Sequence, residues 1–431
     1  MRSRAFQLPL RRQTNVALRT EYDVLLLKQK ADARAKWRLT PPLRKGKGKV
    51  KLHHGANVDM DQLIGRRMMD KLKDSSGRDV VIYEPSMATY IVHGERHAVP
   101  IYPHDASTIV AMMDLHPEHP GEIEDDGEPF EVFEAGTGMG SLTLHIARAL
   151  HAGNPSLSKE LREAIPAAKI LPIRKPDASS DTVTTATLSH LDLPPHLVDE
   201  AQAYPSTRRA ILHTLDRKAL HSFTAHGLVR RFRRGIYLPT IDFHTGSIDA
   251  YLTPRLADRD GKPFLSRAVL DLPAPEENAA PVVRALRPNA TLIVFSPSIS
   301  QIAAFAAWSA RERQPLRLDR TAELPTSSSA DYGVQECEGG RSWNVSTVVP
   351  KDSEDGRVVQ IMRPRMGDRV AGGGFVAVFR KIPEDTEPTI GNEEAAVEEA
   401  VAVEVDEAAV EEAVIAEVEE AEKDGSEVKT P

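Results

Sequence analysis

Residues 130–148 read FEVFEAGTGMGSLTLHIAR, and this stretch decides the fold. A short apolar run leads into Glu134, and glycine then stands at every second position, as Gly136, Gly138 and Gly140. An apolar pattern with helical spacing begins after Ser141. The stretch therefore predicts a strand, a glycine turn and a helix that Ser141 caps, with backbone amides turned towards a bound ligand.

Three kinds of nucleotide loop can be compared with this glycine pattern. The dinucleotide-binding pattern G-x-G-x-x-G needs a third glycine where Ser141 stands, and the phosphate-binding loop needs a lysine after the glycines. The pattern E-x-G-x-G-x-G resembles instead the loop of S-adenosylmethionine-dependent methyltransferases. A plain tight connection between strand and helix is the alternative, although the acid and three glycines coincide here with a strand and a helix.

Composition indicates one large domain with appendages in a chain of 431 residues. A single cysteine, Cys337, excludes an internal disulfide and a cysteine metal cluster. The sequence contains no run of eighteen apolar residues, so no membrane-spanning helix is predicted. The net charge of −8 is segregated, because residues 382–431 carry eighteen acids against two lysines and residues 1–50 carry fourteen basic residues against three acids. We therefore expect an acidic tail over 382–431, disordered or weakly helical.

The first fifty residues predict a disordered basic arm. Residues 1–20 contain five arginines and no acid, which suits either a mitochondrial transit peptide or an arm that binds nucleic acid. A small β-rich module is expected over 51–105, where short apolar runs alternate with turns. Its five histidines lack ligand spacing, so no metal site is predicted.

A doubly wound α/β domain is predicted over 106–381, with 152–208 as a surface insertion rich in Pro, Ser, Thr and Ala. Three acids near strand ends are candidate site residues. Asp216 closes a strand at 210–215 and is suited to a ribose, Asp242 of the stretch 236–243 is expected in the loop beside an adenine, and Asp271 ends the strand in AVLDLPAP. Residues 343–349 and 374–379 are expected to form the antiparallel pair of the sheet.

Several stretches together resemble the catalytic subunit of the tRNA (adenine-58-N1) methyltransferase family. They are IYPHDAS (101–107), EAGTGMGSLT (134–143), HTLD (213–216), VLDLPAP (269–275), FSPSISQI (295–302), WNVSTV (343–348) and GGGFVAVFRK (372–381). The glycine loop alone indicates only a methyltransferase, whereas LDLPAP together with FSP-x-I-x-Q is specific to this family. The resemblance implies a Rossmann-like, seven-stranded doubly wound sheet with a small N-terminal β-rich module.

The resemblance also implies roles for individual residues. S-adenosyl-L-methionine would be bound by Glu134, Gly136, Thr137, Gly138, Gly140, Ser141, Asp216, Asp242 and Phe243. Asp271 would be the catalytic residue that receives the target base. The substrate side would be lined by Leu272, Pro273, Phe295, Ser296, Pro297 and Gln301.

The implied reaction is methyl transfer to N1 of adenine 58 in tRNA, by a homotetramer or by a hetero-oligomer with a non-catalytic related subunit. Two other functions remain open: a methyltransferase with another substrate, and a non-catalytic tRNA-binding partner subunit. The expected location is the mitochondrion, with the nucleus as the alternative.

Overall fold

The computed structural model describes residues 18–30, 37–118, 127–171, 182–324, 327–328, 343–348, 359–364, 370–371 and 373–383. The chain divides into a unit of residues 1–381 and a unit of residues 382–431. The predicted acidic tail, apart from residues 382 and 383, and the arginine-rich residues 1–17 lie outside the described residues. No described helix is long and apolar enough to cross a membrane.

The N-terminal part of the chain forms a small β-rich module. Its elements are strands β1 (Leu26–Gln29), β2 (Arg38–Leu39), β3 (Lys49–Lys51) and β4 (Asn57–Asp59), helix α1 (Met60–Leu63), strands β5 (Lys71–Lys73) and β6 (Asp79–Tyr83), and helix α2 (Met87–His93). The antiparallel sheet has the order β2-β1-β6-β5, and β3 pairs with β4. The described part of the predicted disordered arm therefore belongs to the module, because the apolar run around Leu25 and Leu27 is fully buried in it.

The methyltransferase-like domain follows with alternating helices and strands. Its elements are α3 (Pro103–Met113), β7 (Phe130–Ala135), α4 (Ser141–Leu150), α5 (Lys159–Ala164), β8 (Lys169–Ile170), β9 (Thr184–Ala186), β10 (Leu191–Asp192), α6 (Pro195–Ala203), β11 (Ala210–Asp216), α7 (Ala219–Arg231), β12 (Ile241–Thr245), α8 (Ile248–Ala257), β13 (Leu265–Asp271), α9 (Ala279–Ala285), β14 (Leu286–Ser296), α10 (Ile299–Arg311), β15 (Leu316–Leu324), β16 (Ser327–Ser328), β17 (Trp343–Val348), β18 (Val359–Pro364), β19 (Val370–Ala371) and β20 (Gly374–Lys381).

The main sheet has eight strands in the order β15-β20-β14-β13-β7-β11-β12-β9. Strands β14, β13, β7, β11 and β12 are mutually parallel, and apolar residues on the two faces form two separate cores with the flanking helices. The strand order reverses at β7, whose neighbours β11 and β13 pair through Leu215 and Leu270 with Ala135. The carboxyl ends of these three strands therefore meet at one edge, which is the usual ligand position in such a sheet.

The doubly wound fold is confirmed, with two differences in its strands. Strand β9 adds an eighth, antiparallel strand beside β12. In the main sheet β20 pairs with β14 and β15, whereas the expected partner β17 pairs with β18 in a separate two-stranded sheet. The sequence does not predict β15, because the residues of this strand are mostly exposed on both faces and show no apolar alternation.

The segment 152–208 is more deeply packed than a surface insertion. Its described residues form α5, α6 and three short strands, and they place Leu161, Leu188 and Leu197 in the core beside β11 and β12. Pro, Ser and Thr are frequent here, and the sequence therefore reads as a loop. Leucines at wide intervals still anchor the segment.

Candidate active site

The glycine turn after β7 lies against the end of β11. The backbone N–H groups of Gly136 and Thr137 donate to the carbonyl of Leu215 at 2.9 and 3.3 Å. Gly136, Gly138 and Gly140 all have positive φ angles, of 100°, 53° and 89°. A Cβ at Gly138 would meet open space, whereas a Cβ at Gly140 would lie 2.8 Å from Ala225 of α7. The turn therefore needs glycine for its backbone path and for its close packing on α7.

Asp216 holds the glycine turn from the neighbouring strand. Its Oδ2 accepts the N–H of Gly138 at 3.0 Å, and its Oδ1 accepts the N–H of Lys218 at 2.9 Å. His221 Nδ1 lies 3.0 Å from the same Oδ2. One carboxylate thus connects the turn, the start of α7 and the cavity that they enclose.

Asp271 ends β13 directly opposite the glycine turn. An added Cβ at Gly136 would lie 2.2 Å from the carbonyl oxygen of Asp271, so the two backbones approach more closely than any other residue type allows. Burial, and after it the nearby charge of Asp216, raises the pKa of Asp271 to about 7. A carboxyl group with a pKa near 7 can change its protonation state near neutral pH.

These groups enclose a cavity of about 440 Å³. Its lining contains the predicted residues Gly136, Gly138, Asp216, Asp271, Leu272 and Pro273. The structure therefore brings both strand-end acids and two of the glycines to one space.

Other cavity-lining residues were not predicted from the sequence. They are Leu215, Arg217, Lys218, His221, Ile248, Ala274, Glu277 and Asn278. Most follow Asp216 or Asp271 closely in the sequence, and that proximity is the signal that would have found them. Across the cavity, Arg217 Nη2 donates to Asn278 Oδ1 at 2.9 Å, which joins the loops after β11 and β13.

Glu134, Thr137 and Ser141 support the site from beneath rather than lining the cavity. Thr143 Oγ1 donates to Glu134 Oε2 at 2.7 Å, and burial raises the pKa of Glu134 to about 8, so this carboxyl is largely protonated at neutral pH. The hydroxyls of Thr137 and Thr214 lie 2.7 Å apart. Ser141 does not cap α4, because its hydroxyl donates to the carbonyl of Ile101 and Gly140 is the N-cap residue.

Asp242 and Phe243 are not brought to the cavity. Strand β12 begins at Ile241, five residues later than the apolar residues at 236–238 indicate, so both residues lie within the strand and are buried. Both carboxylate oxygens of Asp242 accept hydrogen bonds from Arg208, at 2.9 and 2.8 Å. Burial opposes ionisation of Asp242, but the adjacent Arg208 guanidinium holds its pKa below the ordinary value. Ile248, just beyond β12, occupies the cavity wall instead.

The surroundings of Asp242 include the one described group of side chains with metal-ligand geometry, formed by His213, Asp242 and His244. Asp242 is already paired with Arg208, and His213 Nε2 lies 2.8 Å from Glu131, which is also bound by Arg255 and Arg259. Three guanidinium groups thus supply the positive charge that balances the carboxylates of Asp242 and Glu131. We interpret the group as a buried ion-pair network.

The predicted substrate residues divide into two groups. Leu272 and Pro273 line the cavity. Phe295 pairs with Asp271 in the sheet, Ser296 ends β14 and Gln301 lies in α10, and neither these residues nor Pro297 line the cavity. Gln301 Nε2 donates to the carbonyl of Pro273 at 2.8 Å, and its Oε1 accepts from the Ser296 hydroxyl. Gln301 therefore holds the loop that carries Leu272 and Pro273.

Comparison with known proteins agrees with this geometry. No protein-family model matches the chain. Over 277 residues the chain is 24% identical to the tRNA (adenine(58)-N(1))-methyltransferase TrmI from one strain of Thermus thermophilus, covering 64% of this chain and 78% of that protein. Over 103 residues it is 34% identical to TrmI from a second strain of the same organism, covering 24% of this chain and 36% of that protein.

A solved structure supports the same fold. The SAM-dependent O-methyltransferase from Thermotoga maritima has a TM-score of 0.52 and 14% sequence identity, covering 86% of this chain and 97% of that one. The resemblance to the tRNA (adenine-58-N1) methyltransferases is thus confirmed at the level of sequence similarity, and the fold is that of class I methyltransferases.

The cavity suits S-adenosyl-L-methionine, which is the cofactor of this class. Its volume lies within the range of roughly 300–1,000 Å³ found for small-ligand sites. Gly138 leaves the space beside it free of a side chain, and Asp216 presents a carboxylate for hydroxyl groups. Asp271 lines the same space.

Proposed function

We propose that this S-adenosylmethionine-dependent methyltransferase transfers a methyl group to N1 of adenine 58 in tRNA. Similarity to TrmI over 277 residues supports this substrate. The observation that carries the proposal is the position of Asp271. It is a carboxylate at the donor cavity, on the strand next to the glycine turn.

The bound cofactor supplies an activated methyl group on a sulfonium. The protein therefore mainly has to align the acceptor with the carbon–sulfur bond. Adenine N1 attacks through a lone pair, and the positive charge that develops is shared with the exocyclic N6. A carboxylate that accepts a hydrogen bond from N6 stabilises this charge more in the transition state than in the ground state. Asp271 has this role, and its ionised form is the active one.

The remaining residues of the site orient the donor and the base. Asp216 holds Gly138 and would accept hydrogen bonds from the ribose hydroxyls of the donor, while Gln301 holds the loop that would form the wall beside the base. Position 58 lies in the folded elbow of tRNA, so the base is extruded before it reaches Asp271. Extrusion costs a few kcal/mol, which contacts to the rest of the tRNA offset.

We also propose that the protein is an oligomer and that it is located in the mitochondrion, because residues 1–20 are rich in arginine and contain no acid. A tetramer of this chain, or of this chain with a related non-catalytic subunit, would let several subunits share one tRNA. Light scattering of the purified protein, and a fluorescent fusion of residues 1–50, test these two proposals. A monomer with full activity contradicts the first, and a diffuse or nuclear signal contradicts the second.

The function is tested with purified full-length protein, S-adenosylmethionine and two tRNA transcripts, one with adenosine at position 58 and one with guanosine. N1-methyladenosine is detected by nucleoside mass spectrometry. We expect methylation of the first transcript only, and Asp271→Asn should lower it at least ~100-fold while calorimetry still shows donor binding. Donor binding together with methylation of neither transcript, alone or with a co-purified partner, would contradict the proposed substrate.

A further inference from the structure

A second cavity, of about 510 Å³, lies between the N-terminal module and helix α7. The module contributes Arg38 and the residues that follow it, the end of α2 contributes His93, and α7 contributes Leu228 and Arg231. We name this cavity the junction groove. It is larger than the donor cavity, and none of the reaction steps above uses it.

Helix α7 connects the junction groove to the donor cavity. His221 lines the donor cavity, while Thr224, Leu228 and Arg231 line the groove. Their spacing of three and four residues places these side chains on one face of the helix. The ten residue-to-residue steps from 221 to 231 span roughly 15 Å, which matches about four steps of a nucleic acid strand at 3.4 Å. Along this helix the groove therefore lies about four nucleotide steps from the donor cavity.

The groove is held in shape by contacts on both sides. Tyr90 Oη donates to the carbonyl of Leu228 at 2.7 Å, inside the protein. Beyond the end of α7, Arg234 Nη1 donates to Thr20 Oγ1 at 2.6 Å, which ties the helix to the module. The groove is thus preformed, so little ordering is needed when a ligand enters.

Positive charge dominates the groove. Within the described parts of the chain, no carboxylate lies within 4 Å of the guanidinium groups of Arg38 or Arg231. Glu95 is the one acid of the lining, and it lies 3.9 Å from His97. Burial lowers the pKa of His93 to about 4, so the charge at neutral pH comes from the two arginines. A guanidinium without a carboxylate partner suits a phosphate, which it can contact through two parallel N–H groups.

A neighbouring cavity adds further arginines to this surface. It shares Val24 and Tyr90 with the junction groove, and it contains Arg19, Arg233 and Arg234 beside two acids, Asp23 and Glu84, of which Glu84 lies 3.7 Å from Arg233. The part of the chain before the acidic tail therefore concentrates arginines where the module meets α7.

We propose that the junction groove binds the phosphodiester backbone of the RNA substrate, at nucleotides remote from the methylated base. Arg38 and Arg231 are the phosphate contacts, and α7 sets the distance between that contact and the donor cavity. This proposal rests on the proposed tRNA substrate and adds the surface that holds it.

The test replaces both arginines with glutamine, as Arg38→Gln with Arg231→Gln, in the full-length chain. Binding of an unmodified tRNA transcript is measured by fluorescence anisotropy at several salt concentrations, and donor binding is measured by calorimetry. Each lost phosphate contact should lower the slope of log Kd against log salt by about 1, so the slope should fall by about 2. The affinity at low salt should fall at least ~10-fold.

Two further variants separate charge from structure. Helix α9 packs on the opposite face of the sheet from α7, and its residue Arg284 is exposed. The variant Arg284→Gln therefore removes one positive charge at a position far from the groove. It should leave the affinity within about twofold. The double lysine variant, Arg38→Lys with Arg231→Lys, keeps both charges and should keep most of the salt slope.

The outcomes distinguish this proposal from the proposed function. If the unaltered protein methylates adenine 58 but the glutamine pair binds tRNA with the same slope as Arg284→Gln, the groove proposal is wrong and the function stands. If the lysine pair loses as much slope as the glutamine pair, the arginines act structurally and the proposal is again wrong. If the unaltered protein binds no tRNA, both proposals fall together.

Discussion

Replacing Gly136 with alanine should disable the site through a single methyl group. The added Cβ would lie 2.2 Å from the carbonyl oxygen and 3.0 Å from the carbonyl carbon of Asp271. Both contacts involve backbone atoms, so a side-chain rotation cannot relieve them. The glycine turn and the end of β13 must therefore move apart.

The size of the effect follows from this distance. A separation of 3.0 Å, still very short for a Cβ, requires a shift of about 0.8 Å from 2.2 Å. A displacement of about 1 Å at a reacting group costs roughly 100-fold in rate. In addition, the φ angle of +100° costs alanine about 1–2 kcal/mol of stability. We expect Gly136→Ala to lower kcat about 100-fold or more and to weaken donor binding.

Gly261→Ala is the matched control. Gly261 also has a positive φ, +75°, but a Cβ there would meet nothing within 4 Å, so this variant carries the backbone strain without the contact. Chemical denaturation should show a loss of about 1–2 kcal/mol from strain in Gly261→Ala and a larger loss in Gly136→Ala, and single-turnover methylation should be near normal only in Gly261→Ala. If Gly136→Ala keeps a kcat and a donor Kd within about threefold of the control, the close approach does not shape the site.

Three further predictions concern charge and positioning. Because the pKa of Asp271 is raised to about 7, its active ionised form accumulates as the pH rises through that value. The kcat/KM should therefore rise with pH below about 7 and level off above it. A flat profile in the unaltered protein, or a retained rise in Asp271→Asn, excludes the ionised Asp271 carboxylate as the active form. Gln301→Met removes the hydrogen bond to the Pro273 carbonyl and should lower kcat about 10-fold, while the donor Kd measured by calorimetry stays within twofold. If kcat and donor affinity fall by the same factor, Gln301 acts on the donor. Arg208→Met leaves the buried carboxylate of Asp242 without its guanidinium and should cost about 3–5 kcal/mol in urea unfolding; a cost under about 1 kcal/mol would show that the ion pair is dispensable.

The sequence predicted the centre of the site because its signals are local. Asp216 and Asp271 each end an apolar strand directly, so their position at the carboxyl edge of the sheet follows from the pattern alone. The glycine turn is equally local. These residues do meet at one cavity.

The errors came from strand ends and from long-range contacts. The sequence predicts a loop at Asp242 because Ile236 and Leu238 resemble the start of a strand, although a Pro-containing turn precedes β12. Gly246 and Ser247 mark the true end, since Ser247 caps α8. The role of Gln301 depends on a bond to a residue 28 positions away, which no local pattern contains.

The place of β20 in the sheet has a consequence for synthesis of the chain. This last main-sheet strand inserts between β14 and β15, and β15 has no other partner in the described sheet. While the ribosome is still adding residues before 374, the backbone N–H and C=O groups along this edge of β14 are unpaired and β15 is unattached. A nascent or prematurely terminated polypeptide that stops short of β20 would therefore expose an unpaired strand edge that is prone to aggregation, and it would depend on chaperones. Every residue of the donor site has already been translated at that point.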